Sequence, residues 1–267
     1  MAKEEIGPKR RILLYGPPKS WKTSSLSTLP KGAKLHVLDA DRQLGSLVQE
    51  WKRRGHPIKN LDWTTLPTKS ADQEVIFKAT RDALWKPPLG FDFYAIDTYT
   101  TVGILLTHAI CGIVDRKYNI SNNAELSGHV QDLFWQYAAA VERIGAWLVV
   151  IMWEKWVEID DGLTDPNDWK SKQRQLGPDA VGQAKTTIPG QCDFVFHVER
   201  GKSLQRTGTK AVSHSVAKFR TKGTPRIMAS TLGYDGVLQD TEPADIAAIL
   251  KKLSLDWKAK PNKAKTK

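Results

Sequence analysis

The chain lacks long apolar runs. Its densest one, Trp147 to Trp153, is seven residues, against about 20 for a helix that crosses a bilayer. A membrane-spanning helix is therefore not expected. Cysteine is nearly absent. Cys111 and Cys192 are the two present, too few for a disulfide framework, and they point to a reducing, cytoplasmic setting. The opening residues Met1 to Glu5 lack the apolar stretch of a signal peptide. The six histidines show no metal-ligand spacing, and His36 on an apolar stretch reads as a core residue. No Ser-His-Asp or Cys-His arrangement follows from spacing, and no repeat of 20 to 50 residues is visible.

What is present is a chain of 267 residues, 40% hydrophobic, sufficient for one sizeable core. Its 40 Lys and Arg against 29 Asp and Glu give a net charge of +11. That charge is concentrated. Arg200 to Arg226 carries +8 with no acid, and Lys258 to Lys267 carries +5 with no acid, leaving −2 over the other 230 residues. The body is near neutral, with two cationic segments suited to an anionic partner, most often nucleic acid. Residues 1–256 read as one domain and 257–267 as a disordered Lys-rich tail.

Apolar strand-like runs alternate with helical stretches. Strands are expected at Arg11–Tyr15, Leu35–Asp39, Phe91–Asp97, Trp147–Met152, Asp193–Val198 and Val212–Phe219. Helices are expected at Lys22–Leu29, Leu44–Arg54, Ser127–Ile144 and Glu242–Leu253. In Ser127–Ile144 the residues Val130, Leu133, Phe134, Tyr137, Ala138 and Val141 form one apolar face. Such alternation predicts an α/β fold: a mainly parallel sheet flanked by helices, with an antiparallel edge formed by the closely spaced late strands.

The strongest motif is Gly16-Pro17-Pro18-Lys19-Ser20-Trp21-Lys22-Thr23. It follows a strand and opens a helix. In a phosphate loop the backbone N–H groups cradle phosphate oxygens, the Lys reaches the β/γ-phosphates and the Ser/Thr hydroxyl ligates Mg²⁺. Those roles fall to Lys22 and Thr23, with Ser24 completing the candidate ATP site. Trp21 stands where the pattern has its second Gly, a position that favours positive φ or close backbone approach. Its side chain must point away from the phosphates. The plain alternative is a strand–turn–helix that happens to carry Lys-Thr. A second element, Phe93 to Thr98, is an apolar strand closing on Asp97, the form of a Walker B strand whose Asp holds Mg²⁺. A third, Leu38-Asp39-Ala40-Asp41, places a carboxylate at a strand end where it could orient an attacking water. Asp41 is the preferred candidate and Asp39 the second. Either could instead cap the following turn.

Taken together, these motifs resemble the RecA-like ATPase core, close to the phage-encoded single-strand annealing ATPases and phage nucleotide-binding proteins. The resemblance covers roughly residues 10 to 230. It implies that Asp41 stands where the family has a water-activating Glu. It implies that Val150-Ile151-Met152-Trp153-Glu154 is the sensor strand, with Glu154 the γ-phosphate sensor and Trp153 a departure. Lys218-Phe219-Arg220 resembles the family's Lys-x-Lys/Arg pair, which reaches a neighbouring subunit's ATP, so a homo-oligomer with ATP at subunit interfaces is implied. The resemblance further implies ATP and Mg²⁺ as cofactors, single-stranded DNA as partner, a role in recombination or annealing, and host cytoplasm as the location if the source is a phage.

Single-strand binders pair basic residues with stacking aromatics. Trp169, Lys170, Lys172 and Arg174 have that mixture, although Lys155 to Lys185 holds five basic and six acidic residues. Arg200, Lys202, Arg206 and Lys210 lie in the acid-free stretch and are candidate phosphate contacts. The competing readings are a solvated charged loop and an exposed basic hairpin. Two other functions remain open: a P-loop kinase acting on a small substrate, and a nucleotide-binding DNA-binding protein with little hydrolysis, which Trp21 favours.

Overall fold

The computed structural model describes residues 10–68, 72–113, 123–159, 173–180, 184–207, 210–224, 226–231, 233–234 and 236–258. Trp169, Lys170, Lys172 and residues 259–267 of the tail lie outside them. The chain opens with β1 (Arg11–Gly16), the short helix α1 (Lys22–Ser25) and a 3-10 turn (Leu26–Thr28). Next come β2 (Leu35–Asp39), α2 (Gly45–Arg53), β3 (Leu61–Thr65), α3 (Gln73–Trp85), β4 (Phe93–Asp97), α4 (Tyr99–Ile113) and α5 (Asn123–Ile144). The rest comprises β5 (Trp147–Ile159), β6 (Gln173–Pro178), α6 (Ala184–Thr187), β7 (Phe194–Thr207), β8 (Lys210–Arg220), β9 (Ser230–Thr231), β10 (Thr241–Pro243) and α7 (Ile246–Lys252).

The strands form one sheet in the order β10-β8-β7-β1-β5-β4-β2-β3, with β6 added to β5 and β9 to β7. From β3 to β7 all neighbours are parallel. The β7–β8 hairpin and β10 make an antiparallel edge. The fold is α/β, with a mainly parallel mixed sheet flanked by helices, as the alternation of elements predicts.

Every residue of β1, β2 and β4 is buried, because successive side chains enter two separate cores. Ile12, Leu14, Val37, Ala95, Val149 and Phe196 face Leu26, Leu47 and Trp51 beside α1 and α2, and Ile249 and Leu250 of α7. Leu13, Tyr15, Leu38, Ile96, Val150 and Val195 face Val102 and Leu106 of α4 and Phe134, Tyr137 and Val141 of α5. The apolar face expected on α5 is the one buried. His36 is a satisfied core residue: its Nδ1 lies 3.2 Å from Asp62 and its Nε2 3.4 Å from the Thr64 hydroxyl. Trp147 is fully buried, and Trp135 packs half-buried against the second core. Cys111 and Cys192 are both free and buried.

Three helix boundaries differ from expectation by several residues. α5 begins at Asn123, where Ser127 is expected. The helix expected over Lys22–Leu29 is α-helical only to Ser25, then tightens into 3-10. Ser25, Ser27 and Thr28 hydroxyls each donate to the carbonyl three residues back, the local bonding by which Ser and Thr compete with helix. The last helix starts at Ile246 and not at Glu242. Thr241–Pro243 pairs with β8, and Asp245 caps the helix by accepting from Ala248 N at 2.9 Å. Among the described residues no helix is long and apolar enough to cross a membrane.

Candidate nucleotide site

The parallel strands β1, β2, β4 and β5 end on one edge of the sheet, and ligands of open α/β sheets bind at that edge. Gly16 ends β1. A Cβ there would lie 2.6 Å from the Val198 carbonyl oxygen of β7, so only glycine lets the chain turn away at this point. Lys19 (φ 60°) and Trp21 (φ 74°) both adopt positive φ. Positive φ is the kind of backbone conformation from which anion-binding nests are built, although here Ser20 N bonds Pro17 O within the loop at 3.3 Å. Trp21 thus has the left-handed conformation for which the phosphate-loop pattern uses Gly. Its side chain stays 43% exposed.

Lys22 folds back over this loop. Its ammonium donates to the carbonyls of Gly16 (2.8 Å) and Pro17 (2.7 Å) and to Ser20 Oγ (3.3 Å). Burial lowers its pKa to about 8, opposed by the charges of Asp97, Glu154 and Asp41. The Thr23 hydroxyl donates to Asp97 Oδ2 at 2.8 Å. Asp97 is buried at the end of β4. Burial raises its carboxyl pKa to about 7; Asp41 and Asp39 raise it further, while the Thr23 hydrogen bond and Lys22 oppose. The Asp97–Thr98 peptide bond is cis.

The second strand's two acids separate in role. Asp39 Oδ1 accepts from Arg42 N at 2.7 Å and so ties down the turn after β2. It is buried, and burial raises its pKa. Asp41 Oδ1 accepts from Thr101 Oγ1 and, at 3.4 Å, from Thr98 Oγ1 at the start of α4. Asp41 therefore lies beside the end of β4, and Asp39 ties down the turn after β2.

Glu154 lies on β5 two residues past Met152 and pairs with His197 Nε2 of β7 at 2.7 Å. His197 Nδ1 lies 3.5 Å from Glu199 Oε1, and Glu199 is bound by Arg220 Nε of β8. A row of ionisable side chains, Glu154, His197, Glu199 and Arg220, thus runs from the end of the parallel strands to the hairpin. His197 and Glu199 were not among the residues singled out from sequence. Strand alternation puts both on one face of β7, but their meeting with Glu154 depends on β5 and β7 flanking β1.

The structure brings Lys22, Thr23, Asp41, Asp97 and Glu154 together. Arg220 is bonded within its own chain, and Lys218 is exposed on the same strand. Arg174 on β6 and Arg200 on β7 are exposed. Lys202, Arg206 and Lys210 are placed along the β7–β8 hairpin by backbone alone.

No protein-family model and no curated protein sequence matches the chain. Among solved structures it is similar to the RadB recombinase. That crystal structure has 16% identity, with 80% of this chain and 88% of that chain covered and a TM-score of 0.39.

A divalent cation fits the residues present. Among the described residues there is no cluster of three or more His, Cys, Asp or Glu placed to hold a metal. Mg²⁺, however, is usually held by one or two carboxylates together with substrate phosphates. Thr23 and Asp97 supply a hydroxyl and a buried carboxylate in direct contact, crowded by two further acids. The charged form of such a carboxylate gains from a cation.

Proposed function

We propose that the chain is a RecA-like ATPase that binds ATP·Mg²⁺ on loop 16–24 and acts on single-stranded DNA in recombination or annealing. The observation that carries this reading is the hydrogen bond from Thr23 to buried Asp97, beside the loop ammonium of Lys22. These are the three groups that nucleotide chemistry needs at one strand edge. Lys22 would exchange its loop carbonyls for β/γ-phosphate oxygens. Thr23 and Asp97 would hold the cation, which neutralises developing charge when bound. Asp41, oriented by two Thr hydroxyls, would take the proton of the attacking water. Glu154, whose charge acts on Lys22, would sense the γ-phosphate, and it is linked to the hairpin through His197 and Glu199. The DNA assignment rests on the acid-free run of Arg200, Lys202, Arg206 and Lys210 along that hairpin, and on the exposed Lys218. Subunits sharing ATP would use Lys218 directly, whereas Arg220 would first have to leave Glu199.

A second reading, nucleotide binding with little turnover, is favoured by Trp21 at a glycine position. Measuring ATP binding and turnover with and without single-stranded DNA separates the two. Turnover stimulated by DNA, and lost in Lys22→Ala, is expected. Binding without turnover selects the second reading. Unchanged ATP binding in Lys22→Ala would overturn both.

A further inference from the structure

Asp41 is fastened from two sides at the end of the parallel strands. Its backbone N–H and that of Ala40 both donate to the Asp97 carbonyl, at 3.3 and 2.8 Å. The backbone that carries Asp41 is thus tied to the residue proposed to hold the cation. The side chain is held from the first turn of α4. Thr101 Oγ1 donates to Asp41 Oδ1. Thr98 Oγ1 lies 3.4 Å from that same oxygen and 3.0 Å from Thr101 Oγ1, and it accepts from Thr101 N at 3.3 Å. Thr98 is buried and Thr101 half-buried. Both hydroxyls therefore converge on one oxygen. A carboxylate has two, and among the described residues no donor meets Asp41 Oδ2. The turn itself is anchored, because Thr100 donates to the Asp179 carbonyl at 2.6 Å and accepts from Trp153 N at 3.1 Å.

We propose that Thr101, braced by Thr98, is a positioning residue that aims Oδ2 of Asp41 at the attacking water and fits the site to an acid of this length. The inference rests on the hydrolysis reading above and adds to it which oxygen works and what aims it. A carboxylate on a free side chain has torsions left to fix, and fixing a reacting group in the productive geometry lowers the barrier. Two hydroxyls on one oxygen supply that fixing. They also set the length. Glutamate on the same backbone would carry its carboxylate about 1.5 Å further, one C–C bond, past the hydroxyl that now meets Oδ1. The longer acid would keep the charge and lose the aim.

The test is steady-state ATP turnover with Mg²⁺ and single-stranded DNA, with ATP affinity and thermal midpoint measured separately, on the full chain and its variants. Thr101→Val keeps the shape and removes the hydroxyl. It should lower kcat by roughly 10- to 100-fold, the cost of misplacing a reacting group by about 1 Å, and leave ATP affinity as in wild type. Thr101→Ser, which restores the hydroxyl, should recover most of that loss. Asp41→Glu should lower kcat in the wild-type background and cost much less where Thr101→Ala is already present, because the two changes act on one contact. An unchanged kcat in Thr101→Val, a loss that Thr101→Ser does not recover, or an equal cost of Asp41→Glu in both backgrounds would overturn the clamp. A Thr101→Val chain that loses ATP affinity and thermal midpoint along with kcat would make Thr101 a packing residue, which overturns it too. All of these leave the hydrolysis reading standing. A wild-type chain that binds ATP without turning it over would instead overturn that reading, and the clamp with it.

Discussion

At the scale of single residues, two positions depart from what packing alone would choose. Trp21 has φ 74° and ψ 18°, a region that disfavours an L side chain by roughly 1–2 kcal/mol. The residue is 43% exposed, so more than half of its surface is covered and truncation also gives up contact. Trp21→Gly should therefore be compared with Trp21→Ala: both lose the ring and only Ala keeps the left-handed cost, so Gly should be the more stable by about 1 kcal/mol, seen as a thermal midpoint a few degrees higher. Equal midpoints would show that the conformation carries no cost. Asp97 is the second position. Burial raises its pKa from 3.8 to about 7, so between those values the folded state binds a proton that the unfolded state has released. The sign is fixed: this group's contribution to stability is fully present below about pH 4 and is lost as pH rises through about 7. Asp97→Asn should remove that component, so the metal-free variant gains on wild type as pH goes from 5 to 8. Chemical denaturation at the two pH values measures it; equal pH dependence in both proteins would mean the carboxyl titrates normally.

At the scale of elements, β1, β5 and β7 place Glu154 and His197 on one face at the closed end of β1. Glu154 Oε2 meets His197 Nε2 at 2.7 Å with both side chains mostly buried. Removing one partner of such a pair leaves a buried polar group unsatisfied, a cost of about 1–3 kcal/mol. His197→Ala should destabilise by that amount. Glu154→Ala added to it should cost much less than the sum of the single changes, because the contact is already lost. Full additivity in denaturant melts would show that the two groups act independently. This element also shows where sequence reading stops. β1, β2, β4 and the start of β5 are legible as short apolar runs, and the phosphate loop as a motif in its strand–loop–helix setting. β3 is not, because as an edge strand only its Leu61 is buried. The polar continuation of β5 beyond Trp153 is not, because it is stabilised by pairing with β6. The His197 pairing is set by strand order, and strand order is not written in any local pattern. Trp21 is legible as an anomaly at a position that favours positive φ, and positive φ is what it adopts.

At the scale of the whole molecule, charge and sheet are arranged asymmetrically. The near-neutral parallel region carries Lys22, Thr23, Asp41 and Asp97, while +8 lies between Arg200 and Arg226, spanning β8 and the end of β7 at the antiparallel edge. The Glu154–His197–Glu199–Arg220 row is the described path between them. If DNA phosphates lie along the hairpin, its basic residues and those of the tail should act as separable counterion-release sites. Replacing Arg200, Lys202, Arg206 and Lys210 with Ser removes four of the six Lys and Arg that the hairpin carries from Arg200 on, Lys218 and Arg220 remaining. For single strands each phosphate contact contributes about 0.7 to the slope of log affinity against log salt. If all four contact phosphates, the slope should become shallower by about 3. Cutting after Lys258 removes four of the tail's five lysines. A tail that tracks the strand would give a comparable drop; one that only aids solubility would give none. A slope unchanged in the hairpin variant would place the DNA path elsewhere. The exposed Trp153, Lys155 and Trp156 of β5, beside Arg174 on β6, would then be the next surface to substitute. The two results also bear on coupling. Only a hairpin path runs through β8, where Arg220 holds Glu199, so only there should bound DNA alter ATP turnover by shifting the row that ends at Glu154.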